Sequence, residues 1–163
     1  MKKLLLFGLI GLTLLFGDET ITLTTIEDKN LTLTSKEKGI DFGKYQGKIV
    51  ILDFMHTSCP PCFKEIEHLI EIQKKYPNKV QVISLVLNKN KTNKTLRTLM
   101  GAHDVNYVVT NSPSNQRLAD ALGGIEMFPT VIIFDQEGEY LDDYKGIVSQ
   151  KTLEGDIEMV IEE

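Results

Sequence analysis

The run Ile49-Val50-Ile51-Leu52-Asp53-Phe54-Met55-His56-Thr57-Ser58-Cys59-Pro60-Pro61-Cys62-Phe63 constrains the fold more than any other stretch of the chain. Ile49 to Leu52 is short, apolar and rich in β-branched residues, the pattern of a strand buried on both faces. Pro60 and Pro61 suit the first turn of a helix, where a missing N–H leaves no hydrogen bond unmade. Beyond them Phe63, Ile66, Leu69, Ile70 and Tyr76 recur at helical spacing, and Pro77 ends the run. Strand, turn and helix together put both cysteines at a helix N-terminus.

That position has chemical consequences. Free backbone N–H groups and the positive end of the helix dipole favour a thiolate over a thiol. A free cysteine has a pKa of about 8.5, and such surroundings lower it to roughly 3.5–7.5. Cys59, nearer the helix start, is expected to be the more exposed sulfur and the attacking nucleophile. Cys62, one turn further in, is placed to attack a mixed disulfide on Cys59 and release its partner. A CxxC pair can also form half of a zinc site, but such a site needs a second Cys or His pair, and the chain holds only 2 cysteines. His56 is the nearest residue that could join Cys59 and Cys62 as a metal ligand, so a metal-binding chaperone is the alternative from another class. A peroxidase with widely separated cysteines fits less well, because both sulfurs share one helical turn.

The chain starts Met1-Lys2-Lys3, continues with an apolar run from Leu4 to Phe16 broken only by Gly8, Gly11 and Thr13, and then turns acidic at Asp18-Glu19. This is the pattern of a secretory signal peptide over residues 1–17. The run is short for a membrane span, which needs about 20 apolar residues. Leu15 suits a cleavage site poorly, so an uncleaved N-terminal anchor is the alternative. Without a cysteine near this boundary, lipoprotein attachment is not expected. Residues 18–163 are enough for one domain with its own core. The net charge of −5, with no basic patch, argues against a nucleic-acid partner.

Periodicity sketches the rest. Residues 20–35 read as a hairpin that turns at Glu27 to Asn30, and 40–47 as a connector. Val80 to Leu87 is a second buried strand, followed by a polar stretch from Asn88 to Asn93 and a helix from about Lys94 to Met100. Tyr107 to Val109 is a short strand, Ser114 to Leu122 a helix, and Val131 to Phe134 a third buried strand. A turn at Gln136 to Glu139 leads into Tyr140-Leu141, and a closing amphipathic helix runs from Ser149 to about Ile161. Alternating strands and helices with a terminal hairpin imply an α/β fold, a mixed sheet covered on both faces.

With these residues in order, the chain resembles the thioredoxin-fold proteins, and most of all the exported TlpA/ResA-type thiol-disulfide oxidoreductases. The resemblance rests on the strand–Cys59-Pro60-Pro61-Cys62–helix unit and on Phe128-Pro129-Thr130 ahead of the third strand. It rests also on Phe134-Asp135 to Gly138 at the hairpin and on Gly47-Lys48 before the first central strand. It implies a thioredoxin-like fold with an added N-terminal β-hairpin and a strand–helix insertion at about residues 88–109.

The resemblance further implies that Pro129 is a cis-proline facing the active-site disulfide. Phe128 before it would offer a backbone edge to an extended substrate, with Ser58, Pro60 and Pro61 lining the same contact. Local sequence alone would read Pro129 as an ordinary trans proline. Asp53, at the expected end of its strand, stands where thioredoxin keeps a buried acid, and many TlpA-like proteins have a neutral residue there. A buried carboxylate has a raised pKa and could take the proton from Cys62; the plainer reading is a strand-end Asp bonded to backbone or water. The family usually has a tryptophan before the first cysteine, but here that residue is Ser58 and the chain has no tryptophan.

The resulting expectation is a periplasmic or membrane-tethered oxidoreductase of cell redox homeostasis. It would reduce disulfides in exported proteins such as apocytochrome c, as in cytochrome c maturation. Its electrons would come from a membrane thiol donor, and it would need no cofactor beyond the Cys59–Cys62 disulfide. Monomeric behaviour is expected. A disulfide-forming oxidase or isomerase is the alternative within the same chemistry.

Overall fold

The computed structural model describes residues 19–88 and 90–161. The expected export segment, residues 1–17, lies outside them. Eight strands and four helices are present among the described residues: β1 (Thr20–Thr24), β2 (Asn30–Ser35), β3 (Ile40–Asp41), β4 (Ile49–Met55), α1 (Pro60–Lys75), β5 (Val80–Val86), α2 (Asn93–Ala102), β6 (Val108–Thr110), α3 (Ser114–Ala121), β7 (Thr130–Phe134), β8 (Tyr140–Lys145) and α4 (Gln150–Ile161).

A five-stranded sheet in the order β6-β5-β4-β7-β8 forms the centre. β4, β5 and β6 run parallel, while β7 is antiparallel to β4 and to β8. β4 occupies the middle and all of its residues are buried, which is why its sequence is a continuous apolar run and does not alternate. Its side chains divide between the two faces of the sheet. Ile49 and Ile51 pack with Leu69 and Ile72 of α1 and Leu153 and Ile157 of α4. Val50, Leu52 and Phe54 pack with Leu118 of α3 and with Ile21, Leu23, Leu31 and Leu33 of the N-terminal strands. The expected mixed sheet covered on both faces is therefore present.

The N-terminal hairpin lies across one face of the central sheet and also guards an edge. At its tip the Ile26 N–H donates to the Val109 carbonyl and the Asn111 N–H to that of Thr24, both at 2.9 Å, which covers the open side of β6. The connector after it is more ordered than its sequence suggests, because Ile40 and Asp41 add a third strand to β2. Gly39 explains how. It has a φ of +88°, and a Cβ there would stand 1.9 Å from the Gly138 carbonyl oxygen. The bare backbone instead lets the Ile40 N–H reach that oxygen at 2.8 Å. The connector is thereby strapped to the β7–β8 turn. β8 also runs further than the expected Tyr140-Leu141, because it pairs with the whole of β7.

Candidate active site

β4 ends at the centre of the sheet and the chain turns through His56-Thr57-Ser58 into α1. Cys59 caps the helix, and Pro60 and Pro61 fill its first two positions, as their ring geometry favours. Cys59 and Cys62 are joined in a disulfide with their Cα atoms 5.3 Å apart. The two sulfurs are not equivalent. Cys62 is 1% exposed among Met55, Ile66 and Val86, whereas Cys59 is partly open to solvent. The Cys62 N–H donates to Cys59 Sγ at 3.2 Å. In the reduced form that donor and the helix N-terminus stabilise negative charge on Cys59.

The Phe128–Pro129 peptide is cis. Phe128 packs on the cluster that holds both cysteines, so the loop before β7 and the start of α1 meet beyond the end of the central strands β4 and β7. The Pro129 carbonyl accepts the Gly146 N–H at 2.8 Å, and the Thr130 hydroxyl donates to the Met127 carbonyl at the same distance. Pro129 is buried, while Ser58 and the two prolines of α1 are exposed beside Cys59.

His56 is held on three sides. The Ser58 N–H donates to its Nδ1 at 3.2 Å, the Asn88 amide nitrogen lies 3.1 Å from its Nε2, and its ring centre is 5.9 Å from that of Phe128. The same Asn88 accepts a hydrogen bond from the Thr57 N–H. Asn88 therefore pins the turn that delivers Cys59. A neutral imidazole accepts at one ring nitrogen only, so the Ser58 N–H and the Asn88 amide compete for the single acceptor position of His56. Among the described residues no group of three His, Cys, Asp or Glu side chains is arranged to hold a metal ion.

Asp53 is not at a strand end, as its sequence context suggested, but inside β4, which continues through Phe54 to Met55. It pairs with Ser84 on one side and Val131 on the other. It is 1% exposed and points to the α1 side of the sheet, where the Ser84 hydroxyl donates to Oδ2 and Oδ1 has no partner among the described residues. Burial pushes its carboxyl up to about 7, against the smaller opposing effect of the Ser84 hydrogen bond.

Three members of this polar layer were not singled out in the sequence. Glu65 of α1 is fully buried; its Oε2 accepts the Val148 N–H at 2.9 Å, and its Oε1 has no partner among the described residues. Burial raises it to about 7 too, opposed by the Val148 hydrogen bond and assisted by the charge of Asp53. Ser84 is buried beside Asp53, and Tyr107 brings in a hydroxyl whose acidity burial weakens. One signal for Glu65 was available: it breaks the stripe Cys62, Ile66, Leu69, Ile72 with a charge on the buried face of α1.

This arrangement can be set beside known proteins. Residues 20–160 match the Redoxin family. The thiol-disulfide oxidoreductase ResA of Bacillus cereus is 28% identical over 156 residues, covering 93% of this chain and 88% of its own. Among solved structures, a thiol:disulfide interchange protein of the thioredoxin family from Chlorobium tepidum superposes with a TM-score of 0.68 at 22% identity, covering 87% of this chain and 93% of its own. StoA from Bacillus subtilis superposes with a TM-score of 0.64 at 20% identity, covering 86% and 97%. At these identities the solved structures speak for a common fold.

Proposed function

The chain belongs to the Redoxin family and is a thiol-disulfide oxidoreductase, and we propose that it is an exported reductant of disulfides in exported proteins, apocytochrome c among them. The observation that carries this reading is the asymmetry of the cysteine pair: Cys59 is reachable at the head of α1, and Cys62 is buried behind it.

In the working direction the Cys59 thiolate attacks one sulfur of a substrate disulfide. A Cys59–substrate bond forms and the other substrate sulfur leaves as a thiolate. Cys62 gives up its proton, and its thiolate then attacks Cys59 Sγ. This forms the Cys59–Cys62 disulfide and releases the second substrate thiol. Two electrons have passed from the dithiol to the substrate, and no bound cofactor is called for. Asp53, buried on the α1 side of the sheet with its carboxyl held at about 7, is the group assigned here to receive the Cys62 proton. The backbone at Phe128, with Ser58, Pro60 and Pro61 around it, would hold the substrate chain beside Cys59. A thiol donor at the membrane would restore the dithiol, with the protein acting as a monomer.

The test is insulin reduction with dithiothreitol as the electron source. The protein should accelerate precipitation of the insulin B chain, and Cys59→Ser should not. A wild-type protein that leaves the background rate unchanged would contradict the proposal.

A further inference from the structure

His56 has no part in the electron transfer described above, yet it stands where the two halves of the redox site meet. It is half-buried in the turn between β4 and α1, three residues before Cys59. Its ring centre is 5.9 Å from that of Phe128, the residue before the cis-Pro129. Phe128 and Cys59 in turn pack on the same buried cluster. One imidazole therefore lies between the turn that delivers Cys59 and the loop assigned to the substrate backbone.

The two donors that compete for its acceptor differ in geometry. The Ser58 N–H is directed at Nδ1, 3.2 Å away. The Asn88 amide nitrogen lies 3.1 Å from Nε2 and also 3.4 Å from Nδ1. A donor aligned with the lone pair of one imidazole nitrogen stands out from the ring, well beyond reach of the other nitrogen. Asn88 thus sits across the ring and on neither lone pair, and its Oδ1 is already taken by the Thr57 N–H. Ser58 holds the better claim on the acceptor. The bond it makes closes a turn of the kind that Asn and Asp side chains make with the N–H two residues on. An imidazolium, a donor at both nitrogens, cannot close that turn.

We propose that neutral His56, with its proton on Nε2, is a positioning residue for the first step of the reduction: Nδ1 accepts the Ser58 N–H and, with the ring beside Phe128, holds Cys59 in line with the substrate backbone. The assignment rests on the reductase reading above. Uptake of a second proton from solvent removes the acceptor and frees the turn, with no bond to sulfur made or broken. Ser58 from the same turn, Asn88 past the end of β5 and Phe128 before β7 surround the ring, and none of them titrates. Among the described residues no charged side chain pairs with His56. The titratable groups nearest along the chain are Asp53, inside β4, and the thiols of Cys59 and Cys62.

The first attack is isolated in the full chain carrying Cys62→Ser, where Cys59 is the sole thiol. Its rate with a peptide disulfide free of ionisable side chains is divided by the fraction of Cys59 thiolate, read from ultraviolet absorbance at each pH. From pH 8 to pH 5, the span in which histidines titrate, this corrected rate should fall about tenfold, as for the loss of one hydrogen bond. His56→Asn offers a side-chain carbonyl to the same N–H and does not titrate, so it should keep most of the pH 8 rate and show no fall. His56→Ala has no acceptor and should be about tenfold slower at pH 8, and equally flat. His56→Ala as fast as the parent at pH 8, or His56→Asn falling as the parent does, would overturn the assignment while leaving the reductase reading in place. A parent whose Cys59 forms a thiolate but attacks no disulfide at any pH would overturn both. Independently of any variant, NMR of the histidine ring nitrogens in the unmodified protein reads the tautomer. At pH 8 the proton of His56 should be on Nε2, and a proton on Nδ1 would equally overturn the assignment.

Discussion

Glu65 and Val148 are joined by one hydrogen bond, the Val148 N–H donating to Glu65 Oε2 at 2.9 Å across 83 residues of sequence. His68, one turn further along α1, meets the other side of the same residue, its Nδ1 lying 2.8 Å from the Val148 carbonyl. Two residues earlier, just past the end of β8, the Gly146 N–H donates to the Pro129 carbonyl at 2.8 Å in the opposite half of the site. The redox helix and the cis-proline loop are thus fastened to one short segment, 146–148, and the fastening on the helix side is a buried carboxylate.

Replacing that carboxylate separates its two roles. Glu65→Ala leaves the Val148 N–H buried without a partner, a loss of about 1–3 kcal/mol, and should lower the urea midpoint accordingly. Glu65→Gln keeps an acceptor while removing the ionisable group, so it should retain most of the stability. Equal losses in the two variants would mean that the hydrogen bond is not what Glu65 supplies.

The pH dependence of stability has a definite sign. Burial holds the folded Asp53 carboxyl at about 7 against an ordinary value of 3.8, so between those values the folded protein keeps a proton that the unfolded chain has released. Stability should therefore fall as pH rises through this window and level off above it. The upper limit of the Asp53 contribution is about 4 kcal/mol, and Glu65 acts in the same direction. Urea unfolding of the oxidised protein at pH 5 and pH 8 checks this. Asp53→Asn should be the more stable protein at pH 8 and show a flatter profile.

Asp53→Asn should also slow the chemistry selectively. If Asp53 takes the Cys62 proton, its loss should reduce the resolution step by about 10²- to 10⁴-fold near neutral pH, the usual range for a positioned base. The first attack by Cys59 should be nearly unchanged. Stopped-flow measurement of mixed-disulfide formation and decay distinguishes the two steps; equal slowing of both would count against the base role.

Gly39→Ala and Gly138→Ala should each destabilise the fold by about 2–4 kcal/mol. Both residues have positive φ, and a Cβ on either would stand 1.9 Å from a backbone carbonyl oxygen of the opposing strap. Gly47→Ala is the comparison: its φ is also positive, at +87°, but nothing lies within 4 Å of the added carbon. It should cost about 1 kcal/mol, and thermal melts rank the three.

The redox unit was legible because its signals are local. An unbroken apolar strand, two prolines and a helical stripe fix where Cys59 and Cys62 stand before any tertiary contact is known. Asp53 was legible as an acid in an apolar run, but its place inside β4 was not, because the strand continues only where β5 and β7 flank it. Asn88 opens a polar stretch that reads as a solvated loop, and its grip on Thr57 exists only because β5 ends beside β4. Glu65 is the instructive miss, a charge on a buried helix stripe whose partner, Val148, is far away in sequence. The two-residue β3 depends on Gly39 and Gly138 meeting, which no window of sequence contains.

The central claim is best tested by the equilibrium redox potential of the Cys59–Cys62 pair, titrated against dithiothreitol and glutathione. A reductant of exported proteins should give a reversible two-electron couple near thioredoxin's, about −270 mV. A potential near about −120 mV, that of a strong disulfide-forming oxidant, would reverse the direction of electron flow and contradict the proposal.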